Sequence, residues 1–168
     1  NYGSKAAKKF DVLGAMPSSE EEMIARDIEL ALMTGARVAF QHISSGKSVA
    51  LIRAGKARGA DIHAEATPHH LALTQDDVLT YGVNARMNPP LRTEQDRQAL
   101  IAGLADGTID MIATDHAPHT AEQKNKPFDQ SLSGITGLET AFSVLNTALV
   151  CTGKITPMQL MRCMSQNP

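Results

Sequence analysis

Three short apolar stretches constrain this chain more than any other feature. "RVAFQH", "ADIHAEAT" and "TIDMIATD" each run into polar residues, and amphipathic segments separate them. "PSSEEEMIARDIELALMTG" precedes the first. Ile24, Ile28, Ala31 and Leu32 fall on one helical face, Ser18 or Ser19 is placed to cap it, glutamates fill its first turn and Gly35 stops it. "GKSVALIRAGKARG" is a helix closed by Gly59, and "TEQDRQALIAGLADG" has a threonine cap and a glycine stop. "TQDDVLTYG" predicts a short helix, "VNARMNPPLR" an extended connection, and "AEQKNKPFDQSLSG" a long polar loop with few anchors. "GLETAFSVLNTALVCTG" and "TPMQLMRCMSQ" predict two closing helices. Strands that alternate with helices are parallel βα units. No glycine fingerprint for a dinucleotide or a phosphate loop follows any of the strands. Chemistry-bearing residues follow all three, which is where a (β/α)8 barrel keeps its active site.

A complete barrel takes about 250 residues, and this chain has 168. The fold class expected is therefore α/β, a partial TIM (β/α)8 barrel holding the last three strands with their helices. The domain expected is residues 1–168 as the C-terminal portion of such a barrel, within a longer chain. The first residue, Asn1 rather than Met, and the ending "MSQNP" fit that expectation. A net charge of −2 carries no nucleic-acid or membrane-surface footprint, and no apolar run approaches membrane-spanning length. Cys151 and Cys163 are the only cysteines, which suits a reducing, cytoplasmic setting.

Read one at a time, the polar residues differ in what they offer. His42 ends a strand; its imidazole suits a metal, but a hydrogen bond to the loop explains it better when it is taken alone. His63 lies within a strand, with Glu65 on the same face, and reads as structural. His69 and His70 read as loop architecture, because neighbouring rings cannot easily face one site. Asn88 precedes two prolines that fix its backbone; it is open between recognising an amide edge and shaping a turn. Asp115, His116 and His119 place three ionisable groups within five residues at a strand end. A carboxylate there can bind a divalent metal and shuttle a proton.

Taken in order, "HISSGKSVALIRAGKARG", "AEATPHHLALT", "NARMNPPLRTEQDRQAL", "DGTIDMIATDHAPHTAEQK" and "SGITGLET" resemble the type I dihydroorotases of the amidohydrolase superfamily, from about Gly14 to Pro168. "NPPLR" followed by "TDHAPH" separates dihydroorotases from hydantoinases and allantoinases better than any single histidine. The resemblance implies that His42 is the metal-ligating histidine of barrel strand six. It makes Asp115 the strand-eight metal ligand and catalytic acid/base. Asn88, His119, Ser133 and Gly134 become substrate-binding positions: Asn88 toward the ring, His119 toward the carboxylate, Ser133 and Gly134 through the backbone. His69 and His70 match a motif that supplies no metal ligand.

The implied activity is metal-dependent interconversion of N-carbamoyl-L-aspartate and dihydroorotate in pyrimidine biosynthesis. The implied cofactor is zinc, one or two ions, with other divalent metals open. The implied partners are that substrate and either a second copy in a homodimer or aspartate transcarbamoylase. The family's HxH pair, its bridging residue, its strand-five histidine, the substrate-binding Arg and Asn after HxH and its small β-sandwich have no counterpart here. The chain alone is thus expected to be inactive and to bind metal weakly. Two other readings stay open: another cyclic amidase of the hydantoinase or allantoinase kind, and a non-catalytic dihydroorotase-like partner of aspartate transcarbamoylase.

Overall fold

In the computed structural model, which describes residues 1–168, the three apolar stretches form one parallel sheet. Its strands are β1 (Val38–Phe40), β2 (Ile62–Ala66) and β3 (Met111–Ile112), side by side in chain order. Val38 pairs with Ile62 and Phe40 with Ala64; Glu65 pairs with Met111 and Ala66 with Ile112. Sequential parallel strands need a crossover helix between them. α3 (Gly46–Ala57) supplies the first crossover and α6 (Glu94–Asp106) lies in the second.

α2 (Ser18–Thr34) packs on α3, and α3 on α6, so the three long helices line up along one side of the sheet. Their apolar faces and the strands form a single core of 21 buried residues, among them Ile28, Ile52, Ile62, Leu100 and Ile109. Each such aliphatic side chain, once buried, contributes about 1.5–3 kcal/mol. Two helical glycines permit the close approach. A Cβ at Gly55 would meet Ile28 and Ile62 side-chain atoms at 2.9 Å, and one at Gly103 would meet Val49 at 2.8 Å. The other face of β2 carries His63 and Glu65, both half-buried.

Helix punctuation follows the sequence with local differences. Thr93 and Asp96 form a capping box on α6, and Gly35 and Gly107 close α2 and α6 in the left-handed region. The cap position of α2 is Pro17 rather than a serine; the Ser19 hydroxyl instead donates to Met16 O. Short helices fill the rest: α1 (Lys5–Lys9), α4 (Pro68–Ala72), α5 (Asp77–Tyr81), α7 (Ala121–Lys124), α8 (Ala141–Leu145) and α9 (Pro157–Met161). α1 lies in a stretch where the sequence predicts no element. The two closing helices each pass into a π-turn, at Asn146–Val150 and Arg162–Gln166. No helix is long and apolar enough to cross a membrane.

Candidate functional site

Parallel strands present their C-terminal ends on one edge, and the candidate residues follow those ends. β1 stops at Phe40, two residues short of His42. The β1–β2 ladder runs from the bond Val38 N–H to Asp61 O; its regular continuation would place residue 42 against Glu65 O, but Ile43 N–H makes that bond, at 2.9 Å. One extra residue is therefore accommodated at the exit, a bulge, and His42 sits in it with φ 38°. Asp115, three residues beyond β3, has φ 46°. Only one other non-glycine residue, Asp11, has positive φ. A left-handed backbone at a histidine is uncommon and costs free energy, and bulges re-aim side chains beside functional sites. Two of the three such positions in the chain are thus the exits of the outer strands. They follow the two strands that flank β2.

The hydrogen bonds at both exits are made by neighbours: Ile43, Ser44 and Ser45 after β1, Ala113, His116 and Ala117 after β3. The His42 ring and the Asp115 carboxylate are left unpaired; His42 is half-buried, and so is Asp115. Imidazole nitrogen and carboxylate oxygen fit a zinc-type ion in kind. They fall short in number, because the chain contains no group of three or more His, Cys, Asp or Glu side chains that could hold a metal. His116 points its ring at the backbone instead, and its Nδ1 accepts from the N–H groups of Gly137 and Leu138, at 3.1 and 3.2 Å.

The loop after His42 is held by a carboxylate that the sequence assigns only to a helix dipole. Glu20 accepts from Ser44 N–H at 3.1 Å, Ser45 N–H at 3.0 Å, the Ser48 hydroxyl at 2.6 Å and the Ser44 hydroxyl. Arg92, 4% exposed, donates from Nε to the same Ser44 hydroxyl at 3.1 Å. The segment carrying Asn88 is thereby tied to the one carrying His42. A cleft of about 330 Å³ between them is lined by both residues together with Glu20 and Arg92. A neighbouring cleft of about 430 Å³ is lined by Asn88, Arg86, Phe128 and Ser133. Asp115 and His119 line neither.

The histidine pair is built differently from the loop the sequence suggests. Thr67 caps α4, which buries His69 to 5% and His70 to 2% exposure. His70 Nε2 donates to Pro89 O at 3.0 Å, so its Nδ1 is left to accept from the Thr67 hydroxyl at 2.8 Å. His70 thus links the exit of β2 to the cis Asn88–Pro89 segment. His69 Nε2 is buried with no hydrogen-bond partner.

Burial pushes His69 down to about 3 and His70 down to about 4. Folded pKa values below the unfolded 6.5 mean that the unfolded chain binds more protons. Stability is therefore lost as pH falls below about 6.5, until the folded values are reached. At 1.36 kcal/mol per unit, each histidine costs about 2 kcal/mol at pH 5. We expect the unfolding free energy from urea titration to drop between pH 7 and pH 5, and a His69→Gln, His70→Asn double variant to lose most of that slope. An unchanged slope in the variant would contradict the assignment.

After β3, side-chain hydrogen bonds stand in for secondary structure. Thr120 and Gln123 form a capping box on α7, against the expected loop with few anchors. His119 Nε2 donates to Ser133 O at 2.9 Å. Since a carbonyl only accepts, Nε2 carries the proton and Nδ1 is the nitrogen left for a ligand. Gly134 N–H donates to Arg86 O at 2.9 Å, and His116 bridges in parallel to Ile135. His119, Ser133 and Gly134 are therefore together in one hydrogen-bonded unit; Asn88 lines the larger cleft together with Ser133. His63 lies away from the exits, at 3.3 Å from Asp61 and 3.7 Å from Asp110. Glu20, Arg86, Arg92 and Lys124 escape a sequence reading; only the T-x-x-Q spacing of Thr120 and Gln123 could have placed α7 and, with it, Lys124.

No protein-family model matches the chain. Among curated proteins it is similar to dihydroorotase from Clostridioides difficile (strain 630), 52% identical over 164 residues, which cover 98% of this chain and 39% of that protein. It is 56% identical over 155 residues to dihydroorotase from Thermoanaerobacter sp. (strain X514), covering 92% of this chain and 36% of that protein. The chain thus spans less than two fifths of the length of these relatives. Among solved structures it superposes on L-hydantoinase (dihydropyrimidinase) from Arthrobacter aurescens with a TM-score of 0.83 at 30% identity, covering 88% of this chain and 34% of that one. D-hydantoinase (dihydropyrimidinase) from Thermus sp. gives 0.78 at 28% identity, covering 85% and 32%. The three parallel strands align with part of the hydantoinase barrel.

Proposed function

We propose, for a chain that belongs over nearly all of its length to the dihydroorotase family of the amidohydrolase superfamily, that it forms the C-terminal portion of a barrel whose whole protein interconverts N-carbamoyl-L-aspartate and dihydroorotate. The observation that carries this reading is the contrast in identity: 52% and 56% to dihydroorotases, against 30% and 28% to hydantoinases that share the fold. The same contrast weighs against a hydantoinase-like amidase. The reaction belongs to pyrimidine biosynthesis, and the two free thiols, Cys151 and Cys163, suit a cytoplasmic protein.

His42 and Asp115 would hold zinc together with ligands from outside these residues. Bound zinc supplies a water of lowered pKa and polarises the ring carbonyl. The chain's own residues do the rest. Asp115, unpaired at the exit of β3, takes the proton of the attacking water and returns it to the leaving ring nitrogen, and the reverse path closes the ring. Asn88 turns its amide to the ring edge. His119 faces the substrate carboxylate while its Nε2 stays on Ser133 O. The turn at Ser133–Gly134 offers backbone groups to the ring.

The test is a side-by-side measurement of kcat/KM for dihydroorotate, hydantoin and allantoin with the full-length protein. Dihydroorotate is expected to exceed both others by at least about 100-fold, the discrimination available to a site with fixed partners for a carboxylate. Preference for hydantoin or allantoin would overturn the reading.

A further inference from the structure

Four successive carbonyls after α7 are tied by side chains. Ser131 O accepts from Arg86 Nη1, Leu132 O from Lys124 Nζ at 3.0 Å, Ser133 O from His119 Nε2 at 2.9 Å and Gly134 O from Lys124 Nζ at 3.0 Å. The amides of the same residues are also engaged: Ser131 N–H to Pro127 O, Leu132 N–H to Gln123 O and Gly134 N–H to Arg86 O. One group is left over, the Ser133 N–H, on a residue that lines the larger cleft with Asn88. A four-residue turn with every backbone group bonded but one is a device for presenting that one.

Lys124 makes half of these ties, more than any other side chain. Its ammonium bonds two of the four carbonyls, on either side of Ser133, and the residue is 8% exposed. Lysine is rarely that buried without a counter-ion, and no carboxylate lies within ion-pair distance of it; its cationic neighbour is Arg86, which itself stacks over Phe128 at 5.5 Å. A buried cation held only by carbonyls costs desolvation free energy. Those carbonyls belong to the segment where the proposed substrate contacts fall.

We propose that Lys124 is a positioning residue for substrate: by gripping Leu132 O and Gly134 O it fixes the turn so that Ser133 N–H faces the substrate ring. This rests on the dihydroorotase reading above. The test uses the full-length protein with Lys124→Met and Lys124→Arg, reading amide hydrogen exchange over residues 131–138 beside steady-state kinetics at full metal content. In Lys124→Met, exchange of the turn is expected to speed at least about tenfold. KM for dihydroorotate should rise about tenfold, the lower end of what losing a hydrogen bond to a charged group costs, with kcat within about threefold. Lys124→Arg keeps a donor and the charge and should recover most of both. Should Lys124→Met fail to fold, Thr120→Ala, which loosens α7 at its exposed cap, is read the same way.

Unchanged exchange and unchanged KM overturn the proposal. Faster exchange with unchanged KM overturns it too, leaving Lys124 a tie with no bearing on substrate. If the wild-type protein turns over no dihydroorotate, the reading of function has failed on its own account; exchange then decides alone whether Lys124 holds the turn, and an unchanged rate overturns that.

Discussion

Replacing Asp115 by Asn in the full-length protein is expected to lower kcat for dihydroorotate by about 10³-fold, within the range that a positioned general acid/base supplies. The amide keeps the size of the side chain and an oxygen donor, so the backbone at φ 46° is not asked to accept a new shape. What it loses is the ability to take and return a proton at neutral pH. Asp115→Ala goes further by removing the donor atom as well, so metal content is measured before kinetics. His119→Ala should behave differently. Its proposed partner is a carboxylate that does not react, so KM should rise while kcat holds. Near-normal kcat in Asp115→Asn at full metal content, or unchanged KM in His119→Ala, would show that the roles are misassigned.

Gly134→Ala carries the second large effect. A Cβ on Gly134 would stand 2.5 Å from Ala117 O, 2.7 Å from His119 Nε2 and 2.8 Å from Ala117 Cβ. Two of these three atoms belong to Ala117, whose N–H is already bonded to Ile135 O at 3.1 Å, so relief cannot come from a flexible side chain. Overpacking of this kind costs about 1–3 kcal/mol. Here the displaced groups are those that would receive substrate: the His119 ring and the Ser133–Gly134 turn. We expect kcat/KM for dihydroorotate to fall at least about 100-fold, chiefly through KM, while Ser133→Ala, which keeps the backbone, changes it little. Wild-type KM in Gly134→Ala would remove the turn from the site.

The fold was legible where information is local. Helix faces, the Thr93 cap and the Gly35 and Gly107 stops are written in adjacent residues, and the alternation of strand and helix leaves few topologies open. The candidate residues were legible as polar groups at strand ends, but what holds them in place was not. His42 and Asp115 stand out as polar residues at strand ends, whereas the bulge that turns His42 depends on register against β2, which no single strand encodes. Glu20 reaches Ser44 across 24 residues, and His70 reaches Pro89 across 19. Such partners become visible only when the crossovers close. The anchors of the polar loop after His119 are hidden for the same reason: Lys124 looks like any exposed lysine until the chain returns at Leu132 and Gly134. His69 and His70 were expected to shape a loop; they are buried, because Thr67 caps a helix that turns both inward.

Dihydroorotate turnover at a metal centre to which His42 contributes, from its bulge at the exit of β1, is the claim on which the assigned roles depend. It is tested most directly by stripping metal from the full-length protein and following dihydroorotate hydrolysis as zinc is returned, wild type beside His42→Ala. A catalytic zinc usually has three protein ligands, so loss of one should weaken its retention. The predicted result is saturable recovery in the wild type and a His42→Ala curve displaced at least about tenfold to higher zinc, or flat. Full turnover by the stripped wild type, or identical curves for the two proteins, would contradict it.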